Sequence, residues 1–181
     1  MASIDLDSLE RRARLRYELG RAARSVLGFA PALLVVLAAV GFGRRPGSAV
    51  VFGGVLFLLG SFLLWRGQTL HKAVLPGLLA GLIPLTCALV ANRGHMCIGG
   101  HCSTYCLPAC ITGGVIAGLV ISYVAHRRGM GWQFWAGASG ISILTGAMGC
   151  SCIGYSGVFG LAAGYLVGAM PIGLRSVLRK K

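Results

Sequence analysis

The chain consists mainly of long apolar stretches. Hydrophobic and polar residues do not alternate within them, as they would in a barrel strand. Six of them reach the roughly 17 to 25 residues that a helix needs to cross about 30 Å of hydrocarbon. None of the six contains Asp, Glu, Lys or Arg. Continuous apolar runs favour transmembrane helices over alternating strands. The six predicted spans cover residues 26–43, 48–65, 73–91, 105–125, 131–148 and 153–174.

The composition is that of a membrane protein rather than of a soluble domain. Of the 181 residues, 56% are hydrophobic and only 12% are charged, whereas a soluble domain has roughly 25% charged residues. We predict an all-α membrane protein, a bundle of about six transmembrane helices with a short amphipathic N-terminal helix. Its predicted parts are a basic cytoplasmic segment at 1–25, a transmembrane domain at 26–174 with Cys/His-rich outer loops at 92–110 and 149–152, and a basic cytoplasmic tail at 175–181.

Lysine and arginine are divided unequally between the two sides of the predicted spans. Fourteen of them precede the first span or lie in the second loop, the fourth loop or the tail, and three lie in the opposite loops. Because translocated loops are poor in basic residues, both termini are predicted to face the cytoplasm, in a multi-pass protein of the cell inner membrane. The net charge of +13 is therefore a topology signal, and direct nucleic-acid binding is not predicted. The first span is expected to remain as an uncleaved helix, since no A-x-A site follows it.

The N-terminal segment predicts an amphipathic helix with a basic face. Its basic residues are Arg11, Arg12, Arg14, Arg16, Arg21 and Arg24. Such a helix can lie on the anionic lipid of the bilayer surface. It can also dock a cytosolic partner protein. The sequence leaves both interpretations open, and it leaves the oligomeric state open as well.

Glycines spaced four residues apart predict where the helices pack. Small residues at this spacing let two backbones approach closely in lipid, where van der Waals contact replaces the hydrophobic effect between helices. The pattern occurs twice, as Gly77 and Gly81 in the third span and as Gly160, Gly164 and Gly168 in the sixth. We expect a tight bundle at these positions rather than a pore.

Cysteine and histidine are concentrated in the loops predicted to face outward. The candidate redox or metal-binding residues are His95, Cys97, His101, Cys102, Cys106, Cys110, Cys150 and Cys152. Cys106 and Cys110 are i, i+4 neighbours, so both lie on one side of the fourth predicted helix. Cys87 lies deeper, in the third span, and is the natural leftover if the other six pair.

Three chemistries fit this cluster. An oxidising exoplasmic face favours structural disulfides. Thiolate and imidazole together also suit a soft or borderline metal ion such as zinc, copper or mercury, and no other cofactor is indicated. A thiol switch is the third, because thiols in the first turns of a helix lie near the positive end of its dipole. Cys150 and Cys152 are too close together for an easy mutual disulfide, so we expect them to bond to, or share a metal with, the fourth helix.

Residue types and motifs that the sequence lacks argue against several classes of function. No carboxylate occurs after Glu18, so the membrane region lacks the Asp and Glu that usually couple transport to protons or cations. The sequence also contains no Walker loop, nucleophile elbow or H-E-x-x-H motif. Hydrolytic chemistry therefore has no candidate residues.

The layout of a short cytoplasmic N-terminus, six helices and outward cysteines resembles the NrsF type of membrane anti-sigma factor. This resemblance implies a protein that holds a sigma factor on the cytosolic side and releases it when outer cysteines meet oxidant or heavy metal. The N-terminal helix would be the holding element. The groups at 97–110 and at Cys150 and Cys152 would be the sensor.

Two further resemblances imply other functions. The run Gly149-Cys-Ser-Cys-Ile-Gly154 is similar to the paired cysteines beside glycine-rich turns in the mercuric-ion transporters of the Mer group. Moving a soft ion inward requires cytoplasmic ligands, however, and no cysteine is predicted there. The Cys106-Leu-Pro108 run is similar to membrane thiol oxidoreductases of the DsbB and CcdA kinds, which are enzymes.

We therefore expect an integral membrane protein that senses redox state or soft metal through outward thiols and signals to a cytosolic partner. A heavy-metal transporter, a thiol-disulfide oxidoreductase and a disulfide-stapled structural subunit are the alternatives.

Overall fold

All the described secondary structure of this protein is helical, which confirms the predicted all-α class. The structure, a computed structural model, describes residues 6–42, 46–67, 70–93, 102–151 and 154–178. These residues form seven helices. They are α1 (Leu6–Phe29), α2 (Pro31–Phe42), α3 (Pro46–Arg66), α4 (His71–Arg93), α5 (Cys102–Arg127), α6 (Trp132–Cys150) and α7 (Tyr155–Leu178).

The first predicted span, 26–43, is not one straight helix. The chain breaks at Ala30, and α1 and α2 meet there at an angle of 44°. Pro31 explains the position of the break, because proline has no N–H to donate and disfavours helical backbone in the residue before it. The N-terminal helix consequently runs to Phe29, beyond the predicted boundary at residue 25.

Three helices are long and apolar enough to cross a membrane, or four if the bent α1–α2 pair forms one span. The three segments are Gly47–Arg66, His71–Ala91 and Cys106–Arg127. The apolar part of α7 that the structure describes, Tyr155–Met170, is shorter, and α6 does not pass the same test. The count of six spans thus stays a prediction.

The serine and threonine residues of α6 lie inside the bundle. Ser139 and Thr145 are buried, and the Ser139 and Tyr165 hydroxyls are hydrogen bonded at 2.7 Å. The Thr145 hydroxyl donates to the carbonyl oxygen of Ile141 at 2.8 Å. Neighbouring helices cover most of α6, so these hydroxyl groups lower its mean hydropathy without lying on the outer surface of the bundle.

Glycines of α4 bring that helix against the backbone of α6. A Cβ atom at Gly77 would lie 2.8 Å from the carbonyl oxygen of Ala138, and one at Gly81 would lie 2.8 Å from that of Ser142. Both distances are too short for a methyl group. The two glycines are therefore positions at which the backbones of α4 and α6 lie in direct contact.

A second close contact joins α5 to α7. Gly164 and Gly168 of α7 lie against the backbone carbonyls of Ile111 and Val115 on α5, where a Cβ would collide with oxygen. The contact is reciprocal, because Gly114 and Gly118 of α5 lie in the same way against α7. Gly160, at the start of this row, faces the side chain of Leu107 instead.

Gly164→Ala is expected to destabilise the protein by about 1–3 kcal/mol, because the added methyl group has to displace the α5 backbone. Gly54→Ala is the matched control, since nothing lies within 4 Å of a Cβ at that position of α3. Alanine there should be neutral or stabilising by up to about 1 kcal/mol. Thermal unfolding of the two variants in detergent measures the difference, and equal melting temperatures would contradict the packing described.

Candidate functional site

Five helices meet around two cysteines at one end of the bundle, which we call the cysteine end. It is the end at which α5 begins and α6 finishes. Cys110 lies two turns into α5, and Cys150 is the last residue of α6. The packed group comprises Phe52 of α3, Ala88 of α4, Cys110 of α5, Ala147 and Cys150 of α6, and Val158 and Leu161 of α7.

The thiols of Cys110 and Cys150 are hydrogen bonded to each other. Both side chains are 0% exposed. The sequence predicted that Cys150 and Cys152 bond to, or share a metal with, the cysteines of the fourth span. The structure places Cys150 in the same packed group as Cys110, and the disulfide and the shared metal stay predictions. This contact is chemically important because two thiols in contact can be joined by a single bond or by a single soft metal ion.

Cys106 lies one helical turn before Cys110 and is also 0% exposed. Its i, i+4 relation to Cys110 puts the two side chains on the same side of α5. Three buried thiols thus occur within one turn of α5 and the end of α6. A cysteine thiol is polarisable and uncharged, so it can be buried in a helix contact as a small apolar side chain.

Small residues make room for the thiols. A Cβ atom at Gly149 would lie 3.0 Å from the methyl group of Ala88, and one at Gly146 would lie 2.8 Å from the ring of Pro84. The end of α6 can therefore lie directly on α4. Ser151 finishes the helix, because its backbone N–H bonds back to the carbonyls of Ala147 and Gly149. Gly154, with a φ of 91°, makes the turn into α7.

The other predicted site residues are less fully described. His95, Cys97, His101 and Cys152 lie outside the described residues, and Cys102 begins α5 without a described side chain. Among the described side chains, Cys87, Cys106, Cys110 and Cys150 form no disulfide. No group of three His, Cys, Asp or Glu side chains that could hold a metal converges in this part of the chain. The disulfide and metal interpretations of the whole cluster thus stay predictions.

A cavity of about 250 Å³ adjoins the thiols at the cysteine end. Its lining residues are Ser48, Val51, Phe52, Ser151, Gly154, Tyr155 and Val158. The hydroxyl of Ser48 donates to that of Ser151 at 2.9 Å and joins α3 to the end of α6 beside the cavity. Phe52 and Val158 line the cavity and also pack on the cysteines. These two side chains therefore form part of the layer between the cavity and the group that contains Cys110 and Cys150.

At the opposite end, which we call the arginine end, the basic residues of α1 have different surroundings. Arg11, Arg12, Arg14, Arg16, Arg21 and Arg24 are all exposed. Arg14 forms an ion pair with Glu10 at 2.8 Å, a surface contact of little energetic weight. Arg21 differs, because its guanidinium donates to the carbonyl oxygen of Trp65 at 2.7 Å. That carbonyl is among the last of α3, where a positive charge is favourable.

Phe52→Ala is expected to increase the rate at which N-ethylmaleimide alkylates Cys110 and Cys150 severalfold, because it opens the layer between cavity and thiols. Val51→Ala enlarges the same cavity without touching the cysteine group and should leave the rate unchanged. Peptide mass spectrometry after timed labelling measures both rates. Equal rates in the parent chain and both variants would rule out this route of access.

The described site is thus a pair of contacting thiols beneath a small, mostly apolar cavity, with a third thiol one turn away. Nothing in the spacing of Ser48, Phe52 or Val158 marked these residues in advance, because they reach the site from helices distant in sequence. Comparison of the chain with protein-family models, with curated proteins and with solved structures gives no match.

Proposed function

We propose that this chain is a multi-pass protein of the cell inner membrane and that its surface is a lipid-facing one. Large aliphatic side chains such as Leu34, Leu58 and Val90 are exposed, whereas much of the interior consists of alanine, glycine, serine and cysteine. A soluble protein seldom exposes so many large apolar side chains together. Small residues inside and large ones outside are the arrangement expected when lipid surrounds the bundle.

The proposed orientation has both termini in the cytoplasm and the cysteine end outside. It rests on the distribution of lysine and arginine, since fourteen of them belong to the side of the arginine end. The bent α1–α2 pair supplies the first crossing, and α3 to α7 supply the other five.

A membrane-impermeant maleimide applied to intact spheroplasts is expected to label Cys97 and Cys102, after gentle reduction, because their loop is proposed to face outward. Cys87 is the internal control and should stay unlabelled, since it lies within α4. Labelling of Cys97 and Cys102 only after the membrane is broken would overturn the orientation and the outward thiol site with it.

The function proposed for this site is a redox- or soft-metal-responsive regulator that signals to a cytosolic partner. One observation carries the proposal, namely the contact between the Cys110 and Cys150 thiols in the interior. Two thiols in contact on different helices give oxidants and thiophilic metals a common target.

The chemistry joins α5 to α6 in either case. A hydroperoxide takes two electrons from the two thiols; a sulfur–sulfur bond forms as the oxygen–oxygen bond breaks, and both thiol protons leave in the alcohol and water produced. A divalent soft metal ion instead displaces the two thiol protons and binds both sulfurs without electron transfer. Each reaction replaces a hydrogen bond between the helices with a much stronger link.

The link would join α5 to α6, two helices that pack less closely on each other than on other helices of the bundle. α5 packs most closely on α7 and α6 on α4. The two pairs meet mainly where α4 packs on α5, while α5 and α6 pack less extensively on each other. Fixing Cys110 to Cys150 therefore constrains two packed pairs relative to one another. A cytosolic protein held at the arginine end, a sigma factor by resemblance, is the proposed receiver of the change.

Treatment of the purified protein with hydrogen peroxide is expected to produce a disulfide between Cys110 and Cys150. Non-reducing peptide mass spectrometry detects it as a cross-linked peptide pair that has lost two hydrogens. Cys110→Ser and Cys150→Ser should each abolish the product, and Cys87→Ser is the control that should retain it. A parent chain in which these two thiols stay unlinked under oxidant and bind no mercuric ion would contradict the proposal.

The same variants separate a regulator from its alternatives in cells. A regulator predicts that Cys110→Ser changes a transcriptional response to oxidant or metal while metal accumulation stays the same. A metal transporter predicts reduced accumulation instead. A thiol oxidoreductase predicts that a mixed disulfide with an exported protein accumulates in one of the serine variants.

A further inference from the structure

One face of α1 carries arginine and leucine, and its described residues are exposed. It consists of Arg12, Leu15, Arg16, Leu19, Ala23, Val26 and Leu27, all of them exposed. Their spacings of three and four residues place them on a single side of a helix. We call this side the Arg–Leu face. Leu15 is 56% exposed and Leu19 is 64% exposed, which is costly for leucine in water.

The opposite side of α1 faces the bundle. Arg21, Ser25 and Phe29 follow one another at four-residue spacing on this side. Arg21 donates to the carbonyl of Trp65, Ser25 is buried, and the Phe29 ring occupies the space beside Gly60 of α3. The position of α1 against α3 is thereby fixed at its C-terminal half.

The carboxylates of α1 avoid the Arg–Leu face. Glu10 and Glu18 lie at helical spacing from Arg14, Arg21 and Ser25, on the side that faces α3. Glu10 is moreover paired with Arg14. Among the described residues of α1, the Arg–Leu face therefore presents Arg12 and Arg16 without an acidic neighbour on the same side. Positive charge and exposed leucine coincide on one surface.

We propose that the Arg–Leu face of α1 binds the anionic lipid surface at the cytoplasmic side of the bilayer. The leucines would enter the boundary between headgroups and acyl chains, and the flanking arginines would reach lipid phosphates. This inference rests on the membrane placement proposed above, and it is independent of the thiol chemistry.

Continuity with the membrane favours lipid over a protein partner. Val26 and Leu27, the last residues of the face, belong to the first predicted span, so the face begins among residues that contact acyl chains. It then runs toward Leu19 and Leu15 without a break in the helix. Trp65 and Arg66, beside which α1 leaves the bundle, are residue types found at headgroup level. Lipid can therefore cover the whole Arg–Leu face, because its apolar part begins among acyl chains and its arginines lie where the helix reaches the headgroups.

Hydrogen–deuterium exchange of the full chain in nanodiscs tests this proposal. The discs contain phosphatidylcholine alone or phosphatidylcholine with phosphatidylglycerol. An undocked helix end frays in water, so the amides of residues 10–20 should exchange quickly in neutral discs and slowly in anionic ones. Each juxtamembrane arginine contributes roughly 1 kcal/mol at an anionic surface, which corresponds to about a fivefold change in the docking constant.

Two charge-matched variants locate the effect on the face. Arg12→Gln with Arg16→Gln removes two charges from the Arg–Leu face and should abolish most of the protection in anionic discs. Arg14→Gln with Arg24→Gln removes two exposed charges from the other side and should preserve it. An equal loss in both variants would show that overall charge, and no particular face, attracts α1, and would overturn the proposal.

Two further outcomes are decisive. Equal exchange of α1 in neutral and anionic discs, or protection that appears only when cytosolic protein is added, would overturn lipid as the occupant. A chain that does not co-purify with disc lipid would contradict the membrane placement itself. These failures are distinguishable, because the second is seen before any exchange is measured.

Discussion

The close approach of helix backbones is the constraint on which the rest of this structure depends. At Gly81 and Gly164 the distance to the facing backbone leaves no room for a methyl group. Small residues along α4, α5, α6 and α7 therefore set the distances between the helices, and most large side chains are directed outward. In a bundle surrounded by lipid, exposing large apolar side chains costs little free energy, because lipid and leucine are equally apolar.

The thiol site is a consequence of the same constraint. Cys110 and Cys150 meet because Gly146 and Gly149 let the end of α6 lie directly on α4, and because α5 is held against α7 by its glycines. Cysteine is small enough to occupy such a contact and reactive enough to change it. A packing position and a chemical target thus coincide in the same two residues.

The helices could be predicted from the sequence to within a few residues. The predicted spans 48–65 and 131–148 became α3, Pro46–Arg66, and α6, Trp132–Cys150, because apolar length is a property of each segment alone. The break at Ala30 could not be predicted from Pro31 alone, because proline occurs both at the first position of a helix and at a bend within one. The cavity could not be predicted, because the hydrogen bond between Ser48 and Ser151 joins residues 103 positions apart.

The two ends of the molecule differ in how strongly they are held, and this difference bears on signalling. At the cysteine end five helices contribute to one packed group, so a link between Cys110 and Cys150 acts on the whole bundle. At the arginine end, the described contacts of α1 with α3 include the Arg21 hydrogen bond to Trp65, Phe29 beside Gly60 and the Phe29 ring against Phe57. A change in the tilt of α3 would move α1 with it, because Arg21 binds the end of α3 and the Phe29 ring packs on Phe57 of the same helix. α3 also contributes Phe52 to the group around Cys110 and Cys150, so this one helix connects the thiols to the arginine end.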